Sequence, residues 1–191
     1  MKNVNSVDHW NNIWQKEGLK TWRKYPMTYS IITDLLLESN FKKVLDVGCG
    51  NGVLLSKIKC LGFDVFGVDI SDVAINQLKQ YHNIDGIACK VPPVPKGYYD
   101  CIVASEFLEH FNVPDKVLLD FVKHSDSLIV AVPNNVLGND ECNEHYQKFN
   151  KNSLRDLLER YYINVEVLDI VDSFDQIQLP VLIAKCRGVI L

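Results

Sequence analysis

The sequence predicts an α/β fold: a doubly wound, mostly parallel seven-stranded sheet with an antiparallel strand near the C-terminus and helices on both faces. Three observations carry that expectation. From residue 41 onward, short apolar runs of strand length alternate with segments of helical period. Three glycines, Gly48, Gly50 and Gly52, stand at alternate positions directly after the first of those runs. The last two apolar runs follow one another with no helical segment between them.

Taken in order, residues 6–15 place Trp10 and Trp14 one helical turn apart, with Val7 and Ile13 nearby, as an amphipathic helix whose tryptophans pack. A basic and aromatic connector over 20–26 leads to a helix over 27–39 with Ile31, Ile32, Leu35 and Leu36 on one face. Residues 41–47 form the first strand. A helix over 52–61 carries Leu54, Leu55, Ile58 and Leu61 and stops at Gly62, a residue suited to the left-handed cap. Strand two, 63–68, runs into Asp69, and Ser71 is a good N-cap for a helix bearing Ala74, Ile75 and Leu78. Residues 84–89 read as strand three, and Pro92, Pro93 and Pro95 stiffen the connector to strand four, 100–104. Pro114 opens a helix with Val117, Leu118, Phe121 and Val122 on one stripe, ahead of strand five at 128–132. The segment 133–150 shows no period, and loops of such length are usually functional or disordered. A helix over 153–161 precedes strands at 164–171 and 181–186. The gap of about nine residues between them is too short for a helical crossover, so the pair is antiparallel.

At 191 residues the chain holds one sizeable core and is too short for two ordinary ones. The expected organisation is one domain over 1–191, with an N-terminal helical cap at 1–40 and the sheet-bearing core at 41–191. An apolar fraction of 47% with 23% charged residues is that of a soluble globular protein. Twenty Lys and Arg against 24 Asp and Glu leave a net charge of -4, which argues against nucleic acid as the main partner. No membrane span or signal core is evident, and the six cysteines include no C-x-x-C pair; reduced thiols in the cytoplasm are expected.

Glycine tolerates positive φ, and its missing Cβ lets a ligand reach backbone amides at a helix start, so the turn at 48–52 is built to hold one. In an open α/β sheet ligands bind beyond the carboxyl ends of the strands, which would gather this turn, Asp69, the residues after strand four and the 133–150 loop. A carboxylate about 20 residues past the turn can accept both ribose hydroxyls, which implies an adenosine-containing ligand. A dinucleotide turn needs glycine at position 53; this chain has Val53 there, with the spacing G-x-G-x-G.

Residues 46–52, Asp-Val-Gly-Cys-Gly-Asn-Gly, resemble motif I of the S-adenosylmethionine-dependent methyltransferases that have a Rossmann-like seven-stranded sheet. Residues 65–71, 100–106 and 128–134 resemble that family's further motifs in the same order. The resemblance implies S-adenosyl-L-methionine as cofactor and S-adenosyl-L-homocysteine as product. It implies Asp46, Gly48, Cys49 and Gly50 around the methionyl part, Asp69 on the ribose, Ile70 against the adenine, and Ser105 or Glu106 at the methionine end. The adenine edge falls to the backbone of Ala88 or Cys89, because Ile87 stands where many members have an acidic residue. Arg23 is the candidate for the donor carboxylate, since a guanidinium fork suits it.

A methyl sulfonium is already activated, so the protein must mainly align a nucleophile and, where needed, take its proton. The run Glu106-Phe107-Leu108-Glu109-His110 brings three ionisable groups within one turn if it is helical. His110 is then a general base or an acceptor-site group, with Glu106 and His145 the other catalytic candidates. Glu-x-x-Glu-His with a later His resembles the metal-binding arrangement of small-RNA 2′-O-methyltransferases. The run is also similar to the corresponding segment of ubiquinone-biosynthesis O-methyltransferases, as are the stretches 14–18 and 145–149. That resemblance implies a divalent metal such as Mg on Glu106, Glu109, His110 and His145. Leu-Glu-His also occurs in methyltransferases that need no metal, so both forms stand.

The expected function is methyl transfer to an oxygen or nitrogen of a small-molecule acceptor. The alternatives are an RNA 2′-O-methyltransferase with a divalent metal and a non-catalytic S-adenosylmethionine-binding protein. A nicotinamide oxidoreductase is disfavoured by Val53. The acceptor pocket is expected from Trp10, Trp14, Trp22, Tyr25, Tyr146, Phe149 and the loop up to Asn150, while His9, His82 and His124 are expected on the surface without a catalytic role.

Overall fold

The computed structural model describes residues 5–17, 25–134, 144–174 and 177–190. Helices α1 (Val7–Glu17) and α2 (Pro26–Leu37) precede β1 (Lys43–Val47), α3 (Val53–Cys60), β2 (Asp64–Asp69), α4 (Asp72–His82) and β3 (Gly86–Ala88). There follow β4 (Cys101–Ser105), a 3-10 turn (Leu108–His110), α5 (Asp115–Phe121), β5 (Ser127–Pro133), α6 (Lys151–Leu158), β6 (Tyr162–Phe174) and β7 (Ile177–Val189). The strands form one seven-stranded sheet in the order β3-β2-β1-β4-β5-β7-β6. β1 to β5 pair in parallel, and β7 runs antiparallel to both β5 and β6. The strand order reverses between β1 and β4, which places a crevice at their carboxyl ends.

The central strands are mainly apolar because both faces of the sheet are covered, Asp46 being the buried exception in β1. Leu45, Ile102 and Leu128 point into one core with Phe121 from α5 and Leu154 and Leu158 from α6. Val44, Val103 and Ile129 point into the other, with Ile32 and Leu36 from α2 and Leu55 and Ile58 from α3. Among the described residues no helix is long and apolar enough to cross a membrane.

Several boundaries differ from the sequence expectation. β3 is three residues long rather than spanning 84–89, because its pairing with β2 stops at Gly86–Ala88. Leu61 lies outside α3 and is 44% exposed, so the apolar stripe ends at Ile58. α6 starts at Lys151 because Asn150 and Ser153 form a reciprocal capping box, Ser153 being its third residue rather than its start. The terminal strands are 13 residues each and pair from Tyr162↔Val189 to Phe174↔Ile177. Residues 106–110 are not one helical turn: Glu106 takes a left-handed backbone with φ 53, and the 3-10 turn begins only at Leu108.

Candidate functional site

A cavity of about 430 Å³ opens at the strand-order reversal, where Gly48 to Asn51, Asp69, Ile70 and Ser105 to Phe107 converge from the ends of β1, β2 and β4. Its floor is the glycine turn. Gly48 and Gly50 hold φ of 78 and 53, and a Cβ on either would lie 2.6 Å from the Phe107 ring or the Trp14 ring respectively. Glycine is therefore required both by the backbone and by the approach of these rings. The turn is stitched to β2, since the Gly48 and Cys49 N–H groups donate to the Val68 carbonyl at 2.7 and 3.0 Å. Gly52 caps the start of α3 in the left-handed conformation.

Two carboxylates are buried here. Asp69 accepts the Gly50 N–H on Oδ2 and the Ser71 N–H on Oδ1, both at 2.9 Å. A carboxylate offers about four acceptor sites, so Asp69 keeps capacity beyond these two bonds. Burial raises the Asp69 pKa, and the backbone donors Ser71, Gly50 and Ile70 oppose that rise. Asp46, 2% exposed, is pushed up to about 7, first by burial and then by repulsion from Asp69. Burial, reinforced by the same carboxylates, also holds the Cys49 thiol well above its ordinary pKa.

Helix α1 supplies the wall opposite the sheet, anchored on both sides. Toward α4, Asn11 donates to Asp72 at 2.6 Å and accepts from Ser71 at 2.6 Å, and Gln77 donates to the Trp14 carbonyl at 2.9 Å. Toward the mouth, Asn5 donates to the carbonyls of His110 (3.2 Å) and Glu144 (3.0 Å), and His9 Nε2 lies 2.7 Å from Glu144 Oε1. His9, half-buried, is held by Glu144, which itself lines the cavity. Trp10 meets the His110 ring edge-on at 5.3 Å. From α2, Tyr25 and Tyr29 also line the cavity, and the Tyr25 hydroxyl donates to Glu106 Oε2 at 3.3 Å.

At the mouth, Glu109, His110 and His145 offer ligand atoms that all lie within 4.8 Å of one another. Glu109 is 1% exposed, and its carbonyl accepts the N–H groups of Tyr146 and Gln147 at 2.8 and 3.0 Å, which holds the 145–147 segment against it. His110 Nδ1 lies 3.0 Å from the Glu144 carbonyl. With the Nδ1 proton donated there, the lone pair belongs to Nε2, which stands 3.8 Å from Glu109 Oε1. A carboxylate and two imidazoles are a donor set that suits a divalent cation. Glu106 is not part of this group; its carboxylate belongs to the cavity beside Tyr25.

Asp46, Gly48, Cys49, Gly50, Asp69, Ile70, Cys89, Ser105, Glu106 and His110 all line the cavity. Ala88 and His145 do not, and Phe149 is packed in the core rather than at an acceptor wall. Arg23 and Trp22 lie outside the described residues, as does the loop from 135 to 143. Asn5, Tyr29 and Lys90 line the cavity without a sequence expectation for them, whereas Glu144 falls in the 134–150 loop expected to contribute to the pocket. Tyr29 lies in the first turn of α2, which follows directly on Tyr25 at its N-cap, and the sequence carries no sign that it faces the cavity. Asn5 carries no sequence signal, because its place depends on long-range contacts.

The curated ubiquinone biosynthesis O-methyltransferase of Acinetobacter baumannii (strain ACICU) is 40% identical over 83 residues, 39% of this chain and 34% of that protein. The mitochondrial ubiquinone biosynthesis O-methyltransferase of Schizosaccharomyces pombe is 27% identical over 155 residues, covering 67% of this chain and 54% of the relative. The aligned stretches thus span about a third to a half of these curated relatives. Among solved structures, the N-methyltransferase NodS from Bradyrhizobium japonicum WM9 in complex with S-adenosyl-L-homocysteine superposes with a TM-score of 0.72 at 17% identity, covering 94% of this chain and 98% of that one. That likeness establishes the fold. The family model of the methyltransferase domain matches residues 19–166, taking in the glycine turn, both buried aspartates and the Glu109–His110 mouth, and the chain belongs to that methyltransferase family.

Proposed function

We propose that the protein transfers the methyl group of S-adenosylmethionine to an oxygen or nitrogen of a small-molecule acceptor, releasing S-adenosylhomocysteine. The observation that carries this reading is the convergence of the bare Gly48–Gly50 backbone, the Asp69 carboxylate and the Ser105–Glu106 strand end in one cavity. Asp69, already fixed by the turn, takes the ribose hydroxyls, and Ile70 and Cys89 flank the adenine. The Asp46 and Glu106 carboxylates give the methionyl end a negative potential that favours the donor's ammonium and sulfonium. Arg23 is assigned the donor carboxylate.

In the reaction the acceptor lone pair displaces the thioether from the methyl carbon, and the neutral sulfur leaves with the electron pair of the broken bond. His110 Nε2 takes the acceptor proton, and Glu109 stabilises the imidazolium that results. The ubiquinone O-methyltransferase relatives support oxygen as nucleophile, and NodS, an N-methyltransferase, supports nitrogen.

One observation favours a metal-assisted form of this reaction, the Glu109, His110 and His145 group. These three residues would hold a divalent cation such as Mg²⁺, which when bound polarises an acceptor hydroxyl and lowers its pKa. The net charge of -4 keeps RNA the disfavoured acceptor.

Calorimetric titration with S-adenosylhomocysteine and with NADH tests the donor. Binding of the first alone is expected, and binding of NADH alone overturns the proposal. Methyl transfer from labelled S-adenosylmethionine across phenols, alcohols and amines tests the acceptor class; tight donor binding with no turnover on any of them makes the chain a binding protein.

A further inference from the structure

Asp172 is distant in sequence from every residue of the donor cavity, yet it governs the start of the helix that supplies two of the cavity's hydroxyls. It stands near the end of β6 and is 0% exposed. Its Oδ2 accepts the Thr28 N–H at 2.8 Å, and its Oδ1 accepts the Met27 N–H at 3.3 Å and the Ser173 N–H at 2.8 Å. Met27 and Thr28 carry two of the N–H groups that a helix leaves unsatisfied in its first turn. Tyr25, in the cap position of α2, makes no side-chain cap, and Pro26 has no N–H to offer. A carboxylate at this place is favoured by the hydrogen bonds and by the helix dipole together.

The two capped residues lie between Tyr25 and Tyr29, the residues that α2 contributes to the cavity. The Tyr25 hydroxyl reaches Glu106, and the Tyr29 N–H closes the first turn on the Tyr25 carbonyl at 2.9 Å. Burial, then the carboxylates of Asp46, Glu106 and Asp172, raise the Tyr29 pKa, so its hydroxyl stays protonated and remains a donor. A shift at the start of α2 therefore moves both hydroxyls at once.

We infer that Asp172 is a positioning residue of the donor site: by capping α2 from the terminal hairpin it holds the Tyr25 and Tyr29 hydroxyls where they meet the bound donor. Donor affinity is thereby set partly by the β6–β7 hairpin rather than by the parallel half of the sheet alone. This inference rests on the donor reading proposed above.

The test uses the full chain with D172A, D172N, the pair Y25F/Y29F, and D172A combined with that pair. The readout is the dissociation constant for S-adenosylhomocysteine, measured well below each variant's melting temperature. D172A is expected to weaken binding about tenfold, the scale of a lost N-cap. D172N recovers only part of it, because its single amide oxygen can accept either from Thr28 or from Met27 and Ser173, and the NH2 faces the remaining donors. Added to Y25F/Y29F, D172A costs less than about twofold more, because the residues act through one element. Exchange of the Met27 and Thr28 amides, followed without ligand, quickens in D172A and slows again in part in D172N. A D172A protein with a lowered melting temperature and an unchanged dissociation constant overturns the inference while leaving the donor reading intact. So does a full tenfold loss on top of the tyrosine pair. If the parent protein binds no S-adenosylhomocysteine, the donor reading falls, and this inference falls with it.

Discussion

Asp46 offers the sharpest test of the cavity's electrostatics. Its carboxyl is buried beside Asp69, and its pKa is raised from 3.8 to about 7. Between those values the folded protein holds a proton that the unfolded chain releases. Stability therefore falls as pH rises through that window: the contribution is complete below the unfolded value and lost above about 7. The rise corresponds to at most about 4 kcal/mol. A donor carrying an ammonium and a sulfonium favours the carboxylate, so binding expels the proton. Affinity is then expected to climb by up to about tenfold per pH unit below neutrality and to level off above it. Asp46→Asn keeps the shape and removes the titration. The variant should bind with little pH dependence, bind more weakly than the parent at about pH 8, and melt higher there by at most about 10 °C when ligand-free. Calorimetry in buffers of different ionisation enthalpy counts the protons released on binding. A parent affinity that is flat across this range, or an Asp46→Asn protein with the parent's slope, refutes the reasoning.

Gly50→Ala forces a Cβ onto φ 53 and into the Trp14 ring, so a stability loss of about 1–2 kcal/mol and a larger loss of donor affinity are expected, read by denaturant melts and calorimetry. His110→Gln should lower turnover by about 10²- to 10⁴-fold while the dissociation constant for S-adenosylhomocysteine changes by less than about twofold; an equal fall in affinity would make His110 a donor-site residue instead. Exhaustive chelation should leave donor binding untouched, because the carboxylates of the cavity are distinct from the Glu109, His110 and His145 group. If chelation also leaves turnover unchanged, His110 acts as the base alone. Loss of turnover restored by added Mg²⁺, and absent from H145A, assigns the ion to that group.

The glycine turn and its carboxylates, the proposed donor half of the site, were legible because they are local. A strand buried on both faces reads as an apolar run, broken in β1 only by Asp46, and a turn needing three positive φ angles reads as three glycines, so β1, Gly48 to Gly52 and Asp69 could be placed without coordinates. The terminal hairpin was legible only in part. Asp172, Ser173, Gln178, Pro180 and Arg187 lie beyond the apolar runs at 164–171 and 181–186, yet the pairing continues through them. Glu106 defeated the helical reading for a different reason: nothing in a glutamate signals φ 53. Its backbone follows from position, since its N–H still completes the ladder on the Ala131 carbonyl at 2.8 Å before the chain turns away from β4.

The mouth was least legible because its geometry is set by α1, whose sequence shows two tryptophans and no partner for either. Trp14 can cover Gly50 only where no Cβ intervenes, and Trp10, one turn earlier on the same helix, then meets His110. With the rotation of α1 set by those two rings, Asn11 faces Ser71 and Asp72 on one side, and Asn5 and His9 reach Glu144 on the other. One orientation of one helix thus satisfies the glycine turn, the cap of α4 and the His110 rim together. The glycine turn and the His110 mouth share this wall, so a substitution that loosens α1 at Glu144 is expected to loosen Trp14 over Gly50 as well. The residue type that makes the donor turn possible, glycine, is therefore also what lets the N-terminal helix seat deeply enough to bring Trp10 and His9 to the mouth.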